Sequence, residues 1–167
     1  MLIRTEAPAD NQGILTLLKH AFPTDAEANL VNTLRENGNI TLSIVASDDE
    51  GRVIGCAQFS PVTLSGNDYG WQGLAPVAVH EDFRNQGVAE RMIKEGLDSL
   101  LEFGYSACVV LGDPAYYSRF GFAQSEGSNF RCQWDLPEGV FQVLDLTGES
   151  FDGLSGLIEY CKEFDQF

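Results

Sequence analysis

Apolar residues recur at helical spacing in two stretches near the start of the chain. Between Asn11 and Phe22, Ile14, Leu17, Leu18 and Ala21 form an i, i+3, i+4, i+7 stripe, which predicts a helix with one buried face. Asp25 to Glu36 repeats the pattern with Ala26, Leu30, Val31 and Leu34, and Asn37-Gly38-Asn39 supplies residues that end a helix. Leu2 to Arg4, ahead of both, reads as a short strand. The pattern then changes. Thr41 to Ala46 and Val53 to Leu64 are β-rich runs separated by the turn Ser47-Asp48-Asp49-Glu50-Gly51, which predicts a hairpin. A second turn, Ser65-Gly66-Asn67-Asp68, leads into Tyr69 to Val79, a strand expected to bend or bulge near Pro76 because proline offers no N–H to a ladder.

The strongest amphipathic pattern follows. Val88, Ala89, Met92, Ile93, Leu97, Leu100 and Leu101 share one face, while Glu90, Arg91, Lys94, Glu95, Asp98 and Glu102 share the other, and Gly104 ends the helix. Ala107 to Leu111 is continuously apolar, as a strand buried on both faces of a parallel pair would be. Asp113 and Pro114 then read as the N-cap and first residue of a short helix that runs through Tyr117 and stops at Gly121. Phe122 to Phe167 predicts two or three short strands with a break around Leu146 to Ser150. No linker or internal repeat divides the chain, so residues 1–167 are expected to form one domain.

Composition narrows the function classes. At 44% apolar and 21% charged residues, the chain has the make-up of a globular domain and excludes a disordered or collagen-like one. With 25 acidic against 10 basic side chains the formal charge is −15, a field that repels nucleic acid and anionic lipid and tolerates a cationic amine. On charge alone, polyamines, aminosugars and basic peptide ends come first among amines. No apolar run approaches the roughly 18 residues that span a bilayer, and Met1 to Glu6 lacks the apolar core of a secretory signal. A soluble, cytoplasmic protein without a membrane partner is expected. Cys56, Cys108, Cys132 and Cys161 have no metal-ligand spacing and are expected to be reduced thiols, with no metal bound.

The candidate chemistry lies in Val77-Ala78-Val79-His80-Glu81-Asp82-Phe83-Arg84-Asn85-Gln86-Gly87-Val88-Ala89, a strand that passes through a polar loop into the longest helix. Unpaired main-chain N–H groups at a helix start, reinforced by about half a positive charge from the helix dipole, can cradle a pyrophosphate without a lysine. Gly87 would let the backbone approach the phosphate oxygens. No G-x-x-x-x-G-K-[ST] loop, no strand-linked G-x-G-x-x-G and no G-x-S-x-G elbow competes with it.

With this order of elements, Arg84-x-x-Gly87-x-Ala89 resembles the coenzyme A pyrophosphate loop of the GNAT superfamily of acyl-CoA-dependent N-acetyltransferases, and Tyr117-Ser118-Arg119-Phe120-Gly121-Phe122 is similar to its tyrosine-x-x-x-Gly-Phe segment. The string from Gly112 to Phe122 resembles in particular a subgroup of small bacterial members. The resemblance implies an α/β (α+β) fold: a mixed, mostly antiparallel central sheet with helices on both faces and a central parallel strand pair. It implies acetyl-CoA as co-substrate, with Arg84, Asn85, Gln86, Gly87, Val88 and Ala89 at the pyrophosphate and the backbone of Val77, Ala78 and Val79 along the pantetheine arm. The superfamily splays this strand from the next, here Ala107 to Leu111, so that the acyl chain lies between them. Two positions depart from the common pattern, Val110 where asparagine is usual and Asp113 where alanine is usual, so the innermost pantetheine contacts do not carry over.

The implied reaction is acetyl transfer to a primary amine of a small molecule or a protein by direct attack in a ternary complex. A backbone N–H near Val77 to Val79 would stabilise the tetrahedral oxyanion. Tyr117 would protonate the departing thiolate as general acid. From the residues alone, Glu27, Glu81, Asp82, Asp113 and His80, or a water held by one of them, are all candidate bases; Glu27 is named because the second helix of this superfamily often borders the acceptor pocket. Glu81 and Asp82 would repel a phosphate and are expected to point away from it, with Arg84, Arg119 or Arg91 offsetting the anionic charge. Cys108 lies inside an apolar run and is expected to be an inert thiol, and Trp71, Phe22 and Phe59 are given no role. A monomer and a homodimer both fit. The rival function is a non-catalytic acyl-CoA-binding regulatory module.

Overall fold

The structure, a computed structural model, describes residues 1–166. Adjacent side chains of β2 (Leu42–Ser47) point to opposite faces and set the layering. Ile44 and Ala46 pack beneath α3 (Val88–Glu102), together with Ala57 and Phe59 of β3 (Val53–Leu64). Val45 and Cys56 face the other way, onto Ile14, Leu18 and Val31 of α1 (Asn11–Ala21) and α2 (Ala26–Glu36). One sheet is therefore covered by helices on both faces. The helix α3 sits close to it because Gly96 has no side chain: a Cβ there would collide with the ring of Phe59.

The sheet runs β1-β2-β3-β4-β5-β8-β6, with β1 at Leu2–Thr5, β4 at Asn67–Val79, β5 at Ala107–Leu111, β6 at Ala123–Gln124 and β8 at Phe141–Asp145. It is mostly antiparallel. The central exception is the parallel pair β4–β5, Trp71 to Leu74 against Ala107 to Val110. At the far end of β3, β9 (Gly156–Tyr160) pairs where β2 has ended and carries a short parallel partner, β7 (Phe130–Cys132).

The turn between β3 and β4 is tighter than the sequence suggests. Ser65 and Gly66 both take positive φ, 50° and 81°, so a two-residue turn closes the hairpin and β4 begins at Asn67 rather than Tyr69. The irregularity expected near Pro76 is present: the register shifts between Ala57 and Phe59, where Ala75 and Pro76 stand opposite the single residue Gln58. Among the described residues the C-terminal segment holds four strands, not two or three. The strands β6 and β7 span two and three residues, too few to show an alternation, and exist as additions to β8 and β9. The expected break is there, since residues 146–150 form turns anchored on the Asp145 carboxylate, which accepts from the N–H groups of Thr147 and Gly148. Phe167 lies outside the described residues. All four cysteines are free thiols, with Cys56 and Cys108 buried.

Candidate functional site

Partway along its length β4 loses its neighbour. Pairing with β5 stops at Leu74–Val110, and β4 continues through Val79 bonded to β3 alone. His80 N–H donates to the Ile54 carbonyl at 2.8 Å, so by the alternation of an antiparallel ladder Ala78 also bonds β3, while the main-chain groups of Val77 and Val79 face the gap. The Val79 carbonyl is taken by Arg84 Nε at 3.1 Å. Val77 keeps its groups available on that side. The side chain of Ala78 is buried against α1, and those of Val77 and Val79 pack on the α3 side.

The loop that follows turns through a short 3-10 segment, Glu81–Phe83. Asn85 and Gly87 both take positive φ, 62° and 78°. The first intrahelical bond of α3 runs from Arg91 N–H to the Gly87 carbonyl at 3.1 Å, and no side chain caps Gly87. The N–H groups of Gly87, Val88, Ala89 and Glu90 therefore project from the helix start without an intrahelical partner. A Cβ at Gly87 would meet nothing within 4 Å, so this corner is open. Arg84, Asn85 and Gln86 are exposed, Val88 is buried and Ala89 half-buried. Gln86 Nε2 holds the loop by donating to the Asp82 carbonyl at 3.3 Å.

The acidic side chains of the loop are engaged locally. Glu81 pairs with His20 Nε2 at 3.1 Å, the Asp82 carboxylate lies 3.8 Å from His80 Nδ1, which also accepts from the Asp82 N–H at 3.1 Å, and the two imidazoles stack with centroids 5.1 Å apart. Among the basic residues, Arg119 is drawn to the first turn of α3. Its guanidinium stacks 4.3 Å over the Tyr116 ring and lies 3.7 Å from Glu90.

The helix α4 (Pro114–Tyr117) forms because Asp113 accepts from Ala115 N–H at 2.9 Å and proline occupies the first position, where no N–H is needed. Gly121, at φ 98°, turns the chain away into β6. This places Tyr117 against Gly112 and edge-on to Phe122, centroids 5.8 Å apart. Burial pushes its phenol up to about 12, with smaller contributions from Tyr116 and Cys108. Tyr117 therefore stays protonated at neutral pH. Cys108 is fully buried and its thiol is pushed far up by desolvation, which leaves no thiolate to act as a nucleophile.

Val77, Tyr117 and Glu27 line one cavity of about 550 Å³. Of the five candidate bases only Glu27 reaches its wall. Asp113 is used as a cap, and Glu81, Asp82 and His80 lie in the loop cluster. Phe22 borders the cavity, while Trp71 and Phe59 are core. The sequence gives no sign that Trp134, Tyr160 and Phe164 would close it, since they belong to the segment without periodicity. Among the described residues no cluster of His, Cys, Asp and Glu could hold a metal ion, and no helix is long and apolar enough to cross a membrane.

Comparison with known proteins agrees with this arrangement. The family described as "Acetyltransferase (GNAT) domain" matches residues 3–125. The uncharacterized N-acetyltransferase YhbS of Escherichia coli strain K12 is 53% identical over 167 residues, all of both chains. The crystal structure of E. coli YhbS in complex with CoA superposes with a TM-score of 0.96 at 52% identity, covering 99% of this chain and 92% of that one. A GNAT acetyltransferase from Brucella melitensis, in complex with acetyl-CoA, gives a TM-score of 0.81 at 34% identity over 98% of this chain and 97% of its own. The shared fold, the family match over most of the sequence and the full-length identity lead to one conclusion: the chain belongs to the GNAT family of acetyltransferases.

Proposed function

We propose that the chain binds acetyl-CoA in the gap beside β4 and transfers the acetyl group to a primary amine by direct attack in a ternary complex. One observation carries this reading: β4 parts from β5 after Leu74, next to an uncapped helix start at Gly87 and opposite Tyr117. In this assignment the N–H groups from Gly87 to Ala89 hold the pyrophosphate, with Arg84, Asn85 and Gln86 forming the outer wall. Val77, Ala78 and Val79 lie along the pantetheine arm. The thioester carbonyl is polarised by main-chain N–H at Val77 or Val79, which needs no reorganisation because the strand is already fixed by β3. Tyr117 delivers a proton to the leaving sulfur, and Glu27 accepts the proton that the acceptor ammonium must lose before its nitrogen attacks.

CoA and acetyl-CoA in the YhbS and Brucella structures support the choice of co-substrate. The free cysteines support a cytoplasmic setting. The test is a calorimetric titration with acetyl-CoA followed by a thiol-release assay. Saturable binding and thiol release that requires an amine are expected. Absence of acetyl-CoA binding, or release indifferent to any amine, would overturn the proposal.

A further inference from the structure

The cavity between Val77, Tyr117 and Glu27 is unlike the surface of the molecule. The chain carries a net charge of −15, yet among the described residues Glu27 is the only charged one that lines it. The walls are apolar or aromatic, with Phe22, Leu30, Trp134, Leu136, Tyr160 and Phe164 facing the same space. Tyr160 is tilted against Trp134 with centroids 5.2 Å apart and meets Phe164 edge-on at 5.1 Å, so the three rings brace one another. Two polar atoms in this wall, Glu27 Oε1 and Tyr160 Oη, are buried and have no hydrogen-bond partner among the described residues.

We infer that the acceptor is a small primary amine carried on an apolar body of about the size of one aromatic ring, with its ammonium held by Glu27. This rests on the transferase reading above and goes beyond it in naming the substrate class. The half-buried Glu27 carboxylate lines the cavity, and the negative charge it brings there is matched by an ammonium, which offers three donors. A ring next to that ammonium removes apolar surface from water against Trp134, Tyr160 and Phe164, and the aromatic faces also attract the cation. The amines that charge alone puts first fit less well. Each further ammonium of a polyamine would lie against hydrocarbon with no second carboxylate, and the hydroxyl groups of an aminosugar would outnumber the polar atoms available to them. The volume, about 550 Å³ including the space for the acetyl end, is that of a small-molecule cleft.

The experiment measures thiol release at fixed acetyl-CoA with 2-phenylethylamine, spermidine, glucosamine and a short peptide beginning with phenylalanine, each in turn. Expected is a kcat/KM for 2-phenylethylamine about 100-fold above those for spermidine and glucosamine, and above that of the peptide. Glu27→Gln and Trp134→Ala should each raise the KM for 2-phenylethylamine about tenfold, Glu27→Gln lowering kcat as well because it also removes the proposed base, while acetyl-CoA affinity, which reports an intact fold, stays unchanged. Preference for spermidine, glucosamine or the peptide overturns the inference and leaves the transferase reading standing. So does a KM for 2-phenylethylamine that neither variant moves, or acetyl-CoA binding with no amine of this set acetylated. Failure to bind acetyl-CoA at all removes both.

Discussion

The ring of Tyr117 rests on the backbone of Gly112: a Cβ added at residue 112 would come within 2.5 Å of it. Gly112 follows β5 directly, and its N–H donates to the Val140 carbonyl at 3.0 Å, so the surface beneath the ring is itself anchored. The phenol is thus positioned by main chain on one side and by Phe122 on the other. Gly112→Ala should displace the ring. Since a shift of about 1 Å in a catalytic group can cost about 100-fold, a fall in kcat of tenfold or more is expected with acetyl-CoA affinity preserved. Thiol-release kinetics beside calorimetry check this, and an unchanged kcat would show that the ring is not held by this contact.

Removing the phenol itself is the sharper test. Tyr117→Phe keeps the ring and its packing but loses the proton, and a drop of about 10²- to 10⁴-fold in kcat is expected, the range usual for general acid catalysis. The pH dependence has a definite sign. An acid works while protonated, so its contribution is lost as pH rises through its pKa, here about 12. The wild-type rate should therefore show no alkaline decline due to Tyr117 in the neutral and mildly alkaline range. Turnover of the variant equal to wild type would remove Tyr117 from the mechanism.

Gly87→Glu separates binding from folding. The side chain would project into open space, and an acidic residue at a helix start is favourable to the helix dipole, so the cost to the fold is confined to backbone strain at φ 78°, about 1–2 kcal/mol. The same side chain places bulk and negative charge where the pyrophosphate is proposed to lie. Loss of detectable acetyl-CoA binding is expected by calorimetry, with circular dichroism unchanged. Wild-type affinity would move the phosphate site elsewhere.

The N-terminal strand has an acid-sensitive anchor. Arg4 donates to both carboxylate oxygens of Asp10, at 2.6 and 3.0 Å, and Ala7 N–H donates at 2.7 Å, which together hold the Asp10 carboxyl below the ordinary aspartate range. A lowered folded-state pKa contributes stability that is present above the unfolded value, about 3.9, and is lost as pH falls through the folded one. Asp10→Asn should therefore destabilise the protein at neutral pH and have little effect in strong acid. Urea denaturation at both pH values measures the difference, and an equal loss at both would assign the effect to packing.

Legibility in the sequence followed the length of the periodic signal. The first two helices, α3 and β5 were readable to within about a residue because each buries a continuous stripe against the sheet. Short capped units were readable for another reason: Asp113-Pro114 and Gly121 carry their own start and stop chemistry, which placed Tyr117 on α4. The strands β6 and β7 were not, since strands of two and three residues are defined by their partners, β8 and β9. The gap between β4 and β5 was anticipated only through family resemblance, because parting of two strands after Leu74 is a property of the pair.

The sequence by itself determined most of the helices and strands and their order, the helix start at Gly87 and the buried, unreactive character of Cys108, which follow from local periodicity and residue chemistry, while the layered α/β sheet was implied by the family resemblance. Only the tertiary structure decided which of five acidic or imidazole groups reaches the cavity, and that this cavity is aromatic on an acidic protein. Its wall joins Glu27 and Phe22 from the first quarter of the chain to Trp134, Tyr160 and Phe164 from the last, and no local pattern records a contact made across more than a hundred residues. Such contacts exist because β9 docks onto the far end of β3 and brings the C-terminal rings over β4, where net charge gives no guide to the local surface.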